Sequence, residues 1–231
     1  MNRFFMTGDT HGQFNRIEYF CQINNTTTED VLCILGDVGL NYYLDQKDWL
    51  NKQRVSHLPI TLFCIHGNHE ERPYNIQTYK IKDWNGGKVY FEEEFPNILF
   101  ALDGEIYDIK GKSVLAIGGA YSVDKEYRLL RGWQWFKDEQ PNKEIIKYVE
   151  KQIMKQRKFD IVLSHTCPIN TEPRHMFLPF IDQSKVDKTT ELFLQRVADW
   201  IEFDAWYFGH FHGKWDNGKY HMLYEDYVEV I

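Results

Sequence analysis

The chain has 231 residues, 43% of them hydrophobic and 26% charged, with 16 Phe, 14 Tyr and 7 Trp, which excludes a disordered or low-complexity polypeptide and gives material for one sizeable core. Lys and Arg number 27 against 34 Asp and Glu, a formal charge of -7, so strong nonspecific binding to nucleic acid or to an anionic membrane is not expected and any phosphate must be attracted locally. No apolar run is long enough to span a membrane, and the apolar stretch at residues 1–6 is too short for a signal-peptide core, so a cytoplasmic protein without a membrane partner is expected.

The first third alternates short apolar runs with helical patterns: strands at 3–6, 31–35 and 60–65, helices at 14–23 and 47–55. This β-α-β-α-β rhythm predicts parallel strands in the middle of a sheet, with helices covering both faces. Residues 88–91, 98–102, 105–109 and 113–117 are separated by Gly, Pro, Asn or Asp and predict an antiparallel meander, hence a second sheet. Helices follow at 142–157, with Asn142 as N-cap, and at 189–201. Strands are expected at 160–163, 205–208, 219–223 and 227–231. The fold class is therefore α/β, with two packed mixed sheets in one domain spanning 1–231. The four cysteines, Cys21, Cys33, Cys64 and Cys167, form no CxxC pair and are expected as buried free thiols of a reducing compartment.

Chemistry concentrates where strands end. Gly8-Asp9-Thr10-His11-Gly12, Gly36-Asp37-Val38-Gly39, Gly67-Asn68-His69-Glu70, Ser164-His165 and Gly209-His210-Phe211-His212 each follow an expected strand, and five of the nine histidines fall in these loops. Ligands of α/β sheets bind at the carboxyl ends of strands, so the five loops can meet there. The pairs Asp9/His11 and His210/His212 have the i, i+2 spacing that aims two side chains to one side of extended chain. The donors exceed what one ion needs. Imidazole and carboxylate without thiolate suit Mn, Fe, Zn or Ni better than Mg or Ca, and a shared carboxylate would hold two ions roughly 3.5 to 4 Å apart.

In this order and over residues 8–212, the five blocks resemble the calcineurin-like metallophosphoesterase family. The resemblance implies a sandwich of two mixed sheets flanked by helices. It implies Asp9, His11 and His212 on a first divalent ion, Asn68, His165 and His210 on a second, and Asp37 bridging them, with Mn2+ the leading choice of metal. It also implies hydrolysis of a small or accessible phosphoester, diester or monoester, nucleotides included, by a metal-bridging hydroxide with His69 as general acid. Relatives of the protein-phosphatase branch carry an Asp three residues after the bridging Asp, paired with the active-site histidine; here that residue is Leu40. Glu70 and Arg72 do match that branch, so a Ser/Thr-type protein phosphatase is an alternative, and a catalytically silent interaction module a further one.

Outside the blocks, Tyr121, Arg128 and Arg131 in the aperiodic stretch 118–135, together with Arg72, are candidate substrate contacts, and Trp133 or Trp135 would stack on a base. The proline-stiffened residues 166–180 would frame an entrance. His57, His175 and His221 read as surface or packing residues, and His66 as a strand-end residue.

Overall fold

In the computed structural model, which describes residues 2–230, β1 (Phe4–Thr7) leads through α1 (Asn15–Asn24) to β2 (Val31–Ile34) and through α2 (Gln46–Ser56) to β3 (Thr61–Cys64). The three strands pair in parallel, as their rhythm predicts. Asn25 closes α1 in the left-handed conformation, and the Asp45 carboxylate caps α2 by accepting from the Lys47 amide. Then come β4 (Tyr79–Trp84), β5 (Gly87–Glu92), β6 (Phe95–Ala101), β7 (Ile106–Ile109), β8 (Lys112–Ile117), α3 (Lys125–Leu130), α4 (Lys143–Lys155) and β9 (Lys158–Ser164). The chain continues with α5 (Thr189–Trp200), β10 (Glu202–Phe208), β11 (Trp215–Asn217), β12 (Tyr220–Met222) and β13 (Val228–Glu229). Asn142 caps α4 as expected, its side chain accepting from the Ile145 amide. Ile231, at the end of the last expected strand, and Met1 lie outside the described residues.

One sheet has the order β13-β1-β2-β3-β6-β5-β4, the other β11-β12-β10-β9-β8-β7. The expected meander is thus divided between sheets. Strands β4, β5 and β6 extend the first sheet, because Leu62, Phe63 and Cys64 of β3 take Ile98, Leu99 and Phe100 of β6 as parallel partners. Strands β7 and β8 begin the second sheet. The aperiodic stretch also holds a helix, α3, which its sequence pattern does not announce.

Helices cover one face of each sheet, not both. Side chains alternate with the period of two that strands impose. Phe4, Met6, Val31, Cys33 and Leu35 point to the second sheet, where they meet Tyr107, Val114, Ala116, Ile161 and Leu163. Phe5, Leu32 and Ile34 point the other way, onto Ile17, Phe20 and Cys21 of α1 and Val55 of α2. The outer face of the second sheet packs Leu115, Val162 and Trp206 against Val149 and Ile153 of α4 and Phe193, Leu194 and Val197 of α5. Four layers result, α/β/β/α, and the continuous apolar runs reflect a neighbouring sheet on one side. All four cysteines are buried and free.

Candidate metal centre

Strands β1, β2 and β3 are mutually parallel, as are β8, β9 and β10, so their carboxyl ends deliver the expected loops to one edge of the sandwich. Asp9 and His11 follow β1, Asp37 follows β2, Asn68 and His69 follow β3, His165 follows β9, and His210 and His212 follow β10. The chain there is tightly wound. Among the described residues eight non-glycine residues have left-handed backbone, and four of them are His11, Asp37, His210 and His212. Such conformations cost free energy and cluster where a site demands them. A Cβ on Gly67 would overlap Asp37, and one on Gly209 would overlap Asp9, so both carboxylates are cradled by backbone.

Potential ligand atoms converge in three groups, each with its atoms within 4.8 Å of one another: Asp9, His11 and His212; His11, Asp37 and His69; Asp9, Asp37 and His165. His11 Nε2 lies 2.9 Å from His212 Nε2, which is 3.2 Å from Asp9 Oδ2. Asn68 Oδ1 faces His165 Nε2 at 2.8 Å and His210 Nδ1 at 3.1 Å. His165 Nδ1 is held by the Leu35 carbonyl at 2.7 Å, so Nδ1 carries a proton and Nε2 is the nitrogen that a metal would take. The other oxygens of the two aspartates are engaged: Asp37 Oδ1 accepts from the His69 amide and Asp9 Oδ1 from the His210 amide, each at 2.8 Å. Asp9 Oδ2 is buried and accepts no hydrogen bond of proper geometry. Ligand atoms crowded to within hydrogen-bond distance, with one buried carboxylate oxygen left unpartnered, fit a bound cation.

Charge tells the same story. Burial opposes ionisation of Asp9 and Asp37, yet His165 helps hold both below the usual carboxylate range. Burial likewise opposes charging His165, but Asp37 and Asp9 raise it to about 9. His212 is raised by the Asp9 carboxylate, whose Oδ2 lies 3.2 Å from its Nε2. His210 goes the other way, pushed down to about 3 by burial and by His165, and stays a neutral donor. The cluster draws positive charge onto two buried carboxylates.

The surroundings contain residues that sequence reasoning missed. Asn68 Nδ2 donates to Ser122 Oγ at 2.9 Å, and Ser122 Oγ donates to Glu139 at 2.5 Å, which fixes the amide so that Oδ1 faces the two histidines. His69 Nε2 has Asp124 Oδ1 at 3.6 Å. Leu40, where the protein-phosphatase branch has its aspartate, is fully buried in the apolar layer under α1 and α2. No local spacing marks Ser122, Asp124 or Glu139; they arrive from the loops after β8.

Two cavities flank the cluster, and both include His69 and Asp124. The first, about 520 Å³, includes Tyr121; the second, about 820 Å³, includes Arg128, Tyr42 and Trp133. Arg128 is buried, its Nε donating to the Gln134 carbonyl, its guanidinium over Tyr42 and its Nη2 without a partner. Arg131 is exposed, lies over Tyr127 and lines neither cavity. Arg72 also lines neither: it is buried, ion-paired with Asp103 at 2.5 Å, and shares a separate cavity with His66. Glu70 is buried too and accepts from the Gly67 and Val38 amides. The Glu70 and Arg72 match thus has a structural basis in loop packing. His57, His175 and His221 are engaged by Gln53, Trp215 and Asp216, away from the cluster.

A four-layer sandwich with nitrogen and oxygen donors gathered from both sheets defines a metallophosphoesterase type of fold. The chain belongs to the calcineurin-like phosphoesterase family, whose profile matches residues 3–214. Among solved structures it is similar to TT1561 of Thermus thermophilus, with TM-score 0.54 and 12% identity over 96% of this chain and 88% of that one. Phosphopantetheinyl Hydrolase (PptH) from Mycobacterium tuberculosis gives TM-score 0.43 and 13% identity over 96% and 90%. At 12% identity the likeness to TT1561 is one of fold. No curated protein matches the chain. Among the described residues no helix is long and apolar enough to cross a membrane.

Proposed function

We propose that this protein is a dinuclear-metal phosphodiesterase. The observation that carries the reading is Asp37 Oδ2, which faces His11 Nε2 at 3.8 Å and His165 Nε2 at 3.5 Å, one carboxylate oxygen between two sets of donors. Asp9, His11 and His212 would hold one ion, Asn68, His165 and His210 the other, and Asp37 both. The donor set, free of thiolate, favours Mn2+, with Fe, Zn and Ni as alternatives. When bound, two such ions supply an activated water for in-line attack at phosphorus and neutralise phosphoryl oxygens.

The chain's own residues do the rest. Asn68, braced by Ser122 and Glu139, keeps its carbonyl oxygen on the His165/His210 side. His69, at the junction of the cavities, protonates the leaving oxygen, and Asp124 takes the place beside it that Leu40 leaves empty of charge. Cavities on two sides of one cluster give room for two ester substituents, which favours a diester. Tyr121 would border one arm, and Arg128 and Trp133 the other.

The test is to strip the protein with chelator, add back Mn(II), and compare bis(p-nitrophenyl) phosphate with p-nitrophenyl phosphate while counting bound metal. Turnover of the diester above the monoester at about two ions per chain is expected. A preference for the monoester overturns the diester assignment, and failure to take up metal overturns the whole reading.

A further inference from the structure

The first cavity is unlike the second in the chemistry of its walls. Asp37, Asn68, His69 and His210 border it on the side of the cluster. Facing them, Met176, Phe177, Leu178, Ile181 and Val186 from the segment between β9 and α5 join Phe211 from the loop after β10. This wall is built. Phe177 stacks on Phe211 with centroids 5.9 Å apart, short 3-10 turns run at Ile169–Thr171, Arg174–Met176 and Gln183–Lys185, and Lys188 pairs with Glu172 at 2.7 Å across the segment. Two of the charged groups on this side are engaged within the chain, Lys188 by Glu172 and Glu191 Oε1 by Thr166 at 2.9 Å, and Gln183 adds one uncharged polar side chain. Leu178 is nonetheless 49% exposed and its neighbour Phe180 77% exposed. Apolar surface left open beside a cluster of charges is unfavourable unless something covers it.

Resting on the phosphodiesterase reading above, we infer that this cavity takes an aliphatic substituent of the scissile phosphodiester, an alkyl or acyl chain lying along Phe177, Leu178, Ile181 and Val186. Continuity with the metal-competent residues identifies the occupant as part of the substrate, since one end of the cavity is the place where phosphorus must sit. Its volume of about 520 Å³ suits one substituent of a small molecule. The wall offers mainly aliphatic side chains, and the second cavity, with Tyr42, Lys47 and Arg128, receives the more polar arm.

The test is a series of p-nitrophenyl alkyl phosphodiesters, from methyl to octyl, turned over by the Mn-loaded protein. A buried methylene contributes about 0.8 kcal/mol, so kcat/KM should rise about three- to fourfold for each added carbon until the cavity is filled. Leu178→Ser and Ile181→Asp change side chains that are not part of the buried core, and each should lower the octyl-to-methyl ratio. A flat series with measurable turnover overturns the inference and leaves the phosphodiesterase reading standing. If no member is hydrolysed although two ions are bound, that reading fails, and n-alkyl phosphates of the same lengths are then titrated calorimetrically: affinity rising with chain length upholds the aliphatic site, and affinity independent of length overturns it. A flat series accompanied by self-association that Ile181→Asp abolishes would make the wall an interface between copies and likewise overturn the inference.

Discussion

Asp9 and Asp37 are each 2% exposed and ionised, an arrangement that is costly without a positive charge close by. Their surroundings decide what each neighbouring histidine does. His165, His210 and His212 converge on the carboxylates and on Asn68, whereas His69 has its Nε2 toward Asp124. His69 also falls within 4.8 Å of ligand atoms of His11 and Asp37, so its role as acid has a concrete rival as ligand. If it is the acid, His69→Ala keeps the metal content of the wild type while kcat falls by roughly 10²- to 10⁴-fold, and Asp124→Asn lowers kcat in the same direction by less. Metal analysis beside the kinetics separates the roles, because loss of an ion in His69→Ala would make it a ligand. The eight residues gathered at the cluster were legible in the sequence, since each sits in a short block after an apolar run, flanked by glycine in every case but Ser164-His165. Asp124, Ser122 and Glu139 were not. They act across 54 residues or more in sequence from His69 and Asn68, and a lone Ser, Asp or Glu carries no spacing that declares its target.

Element by element, local pattern located most strands and helices but not their partners. The β4-β5 and β7-β8 turns share left-handed X-Gly pairs, Asn85-Gly86 and Lys110-Gly111, yet pairing of β6 with β3 assigns strands β4 to β6 to one sheet and leaves β7 and β8 to the other. Helix α5 shows how packing overrides a surface-like residue. Glu191 stands in its first turn, where a negative charge is favourable, but it is 4% exposed, and burial pushes its carboxyl up to about 7. It faces Thr166, which donates a hydrogen bond, along with Lys188, Glu172 and the Cys167 thiol. Its folded pKa exceeds the unfolded value, so its stabilising contribution is complete below the unfolded pKa and is lost as pH rises through about 7. Glu191→Gln retains a partner for Thr166 and removes the titration. Urea unfolding from pH 5 to 8 should therefore show the wild type losing about 1 to 3 kcal/mol that the variant keeps. Parallel pH profiles for the two proteins would mean that the carboxyl is solvated in the folded state.

The site belongs to the whole sandwich, because neither sheet can assemble it alone. Asp9, His11, Asp37 and Asn68 follow strands of the first sheet, and His165, His210 and His212 follow strands of the second. Between the sheets the core is apolar, from Phe4 and Phe63 to Val114 and Leu163, and burial of this kind fixes a face without linking particular residues. Ions held by donors from both sheets would tie the two layers at their common edge. Binding to the folded state alone stabilises it by mass action, about 2.7 kcal/mol when free metal is a hundredfold above Kd. For a chain of this size that corresponds to roughly 5 to 10 °C in Tm per ion. Chelation should lower Tm by that order, and Mn(II) added back should restore it in a concentration-dependent way. Asp37→Ala removes the donor that faces both His11 and His165, so its Tm should respond weakly to chelator and to Mn(II), with bound metal falling in parallel. Differential scanning calorimetry with metal analysis on the same samples decides the matter: a wild type that contains two ions and melts at the same temperature with and without chelator would show that the ions do not join the sheets, and full metal content in Asp37→Ala would remove that residue from the shared position.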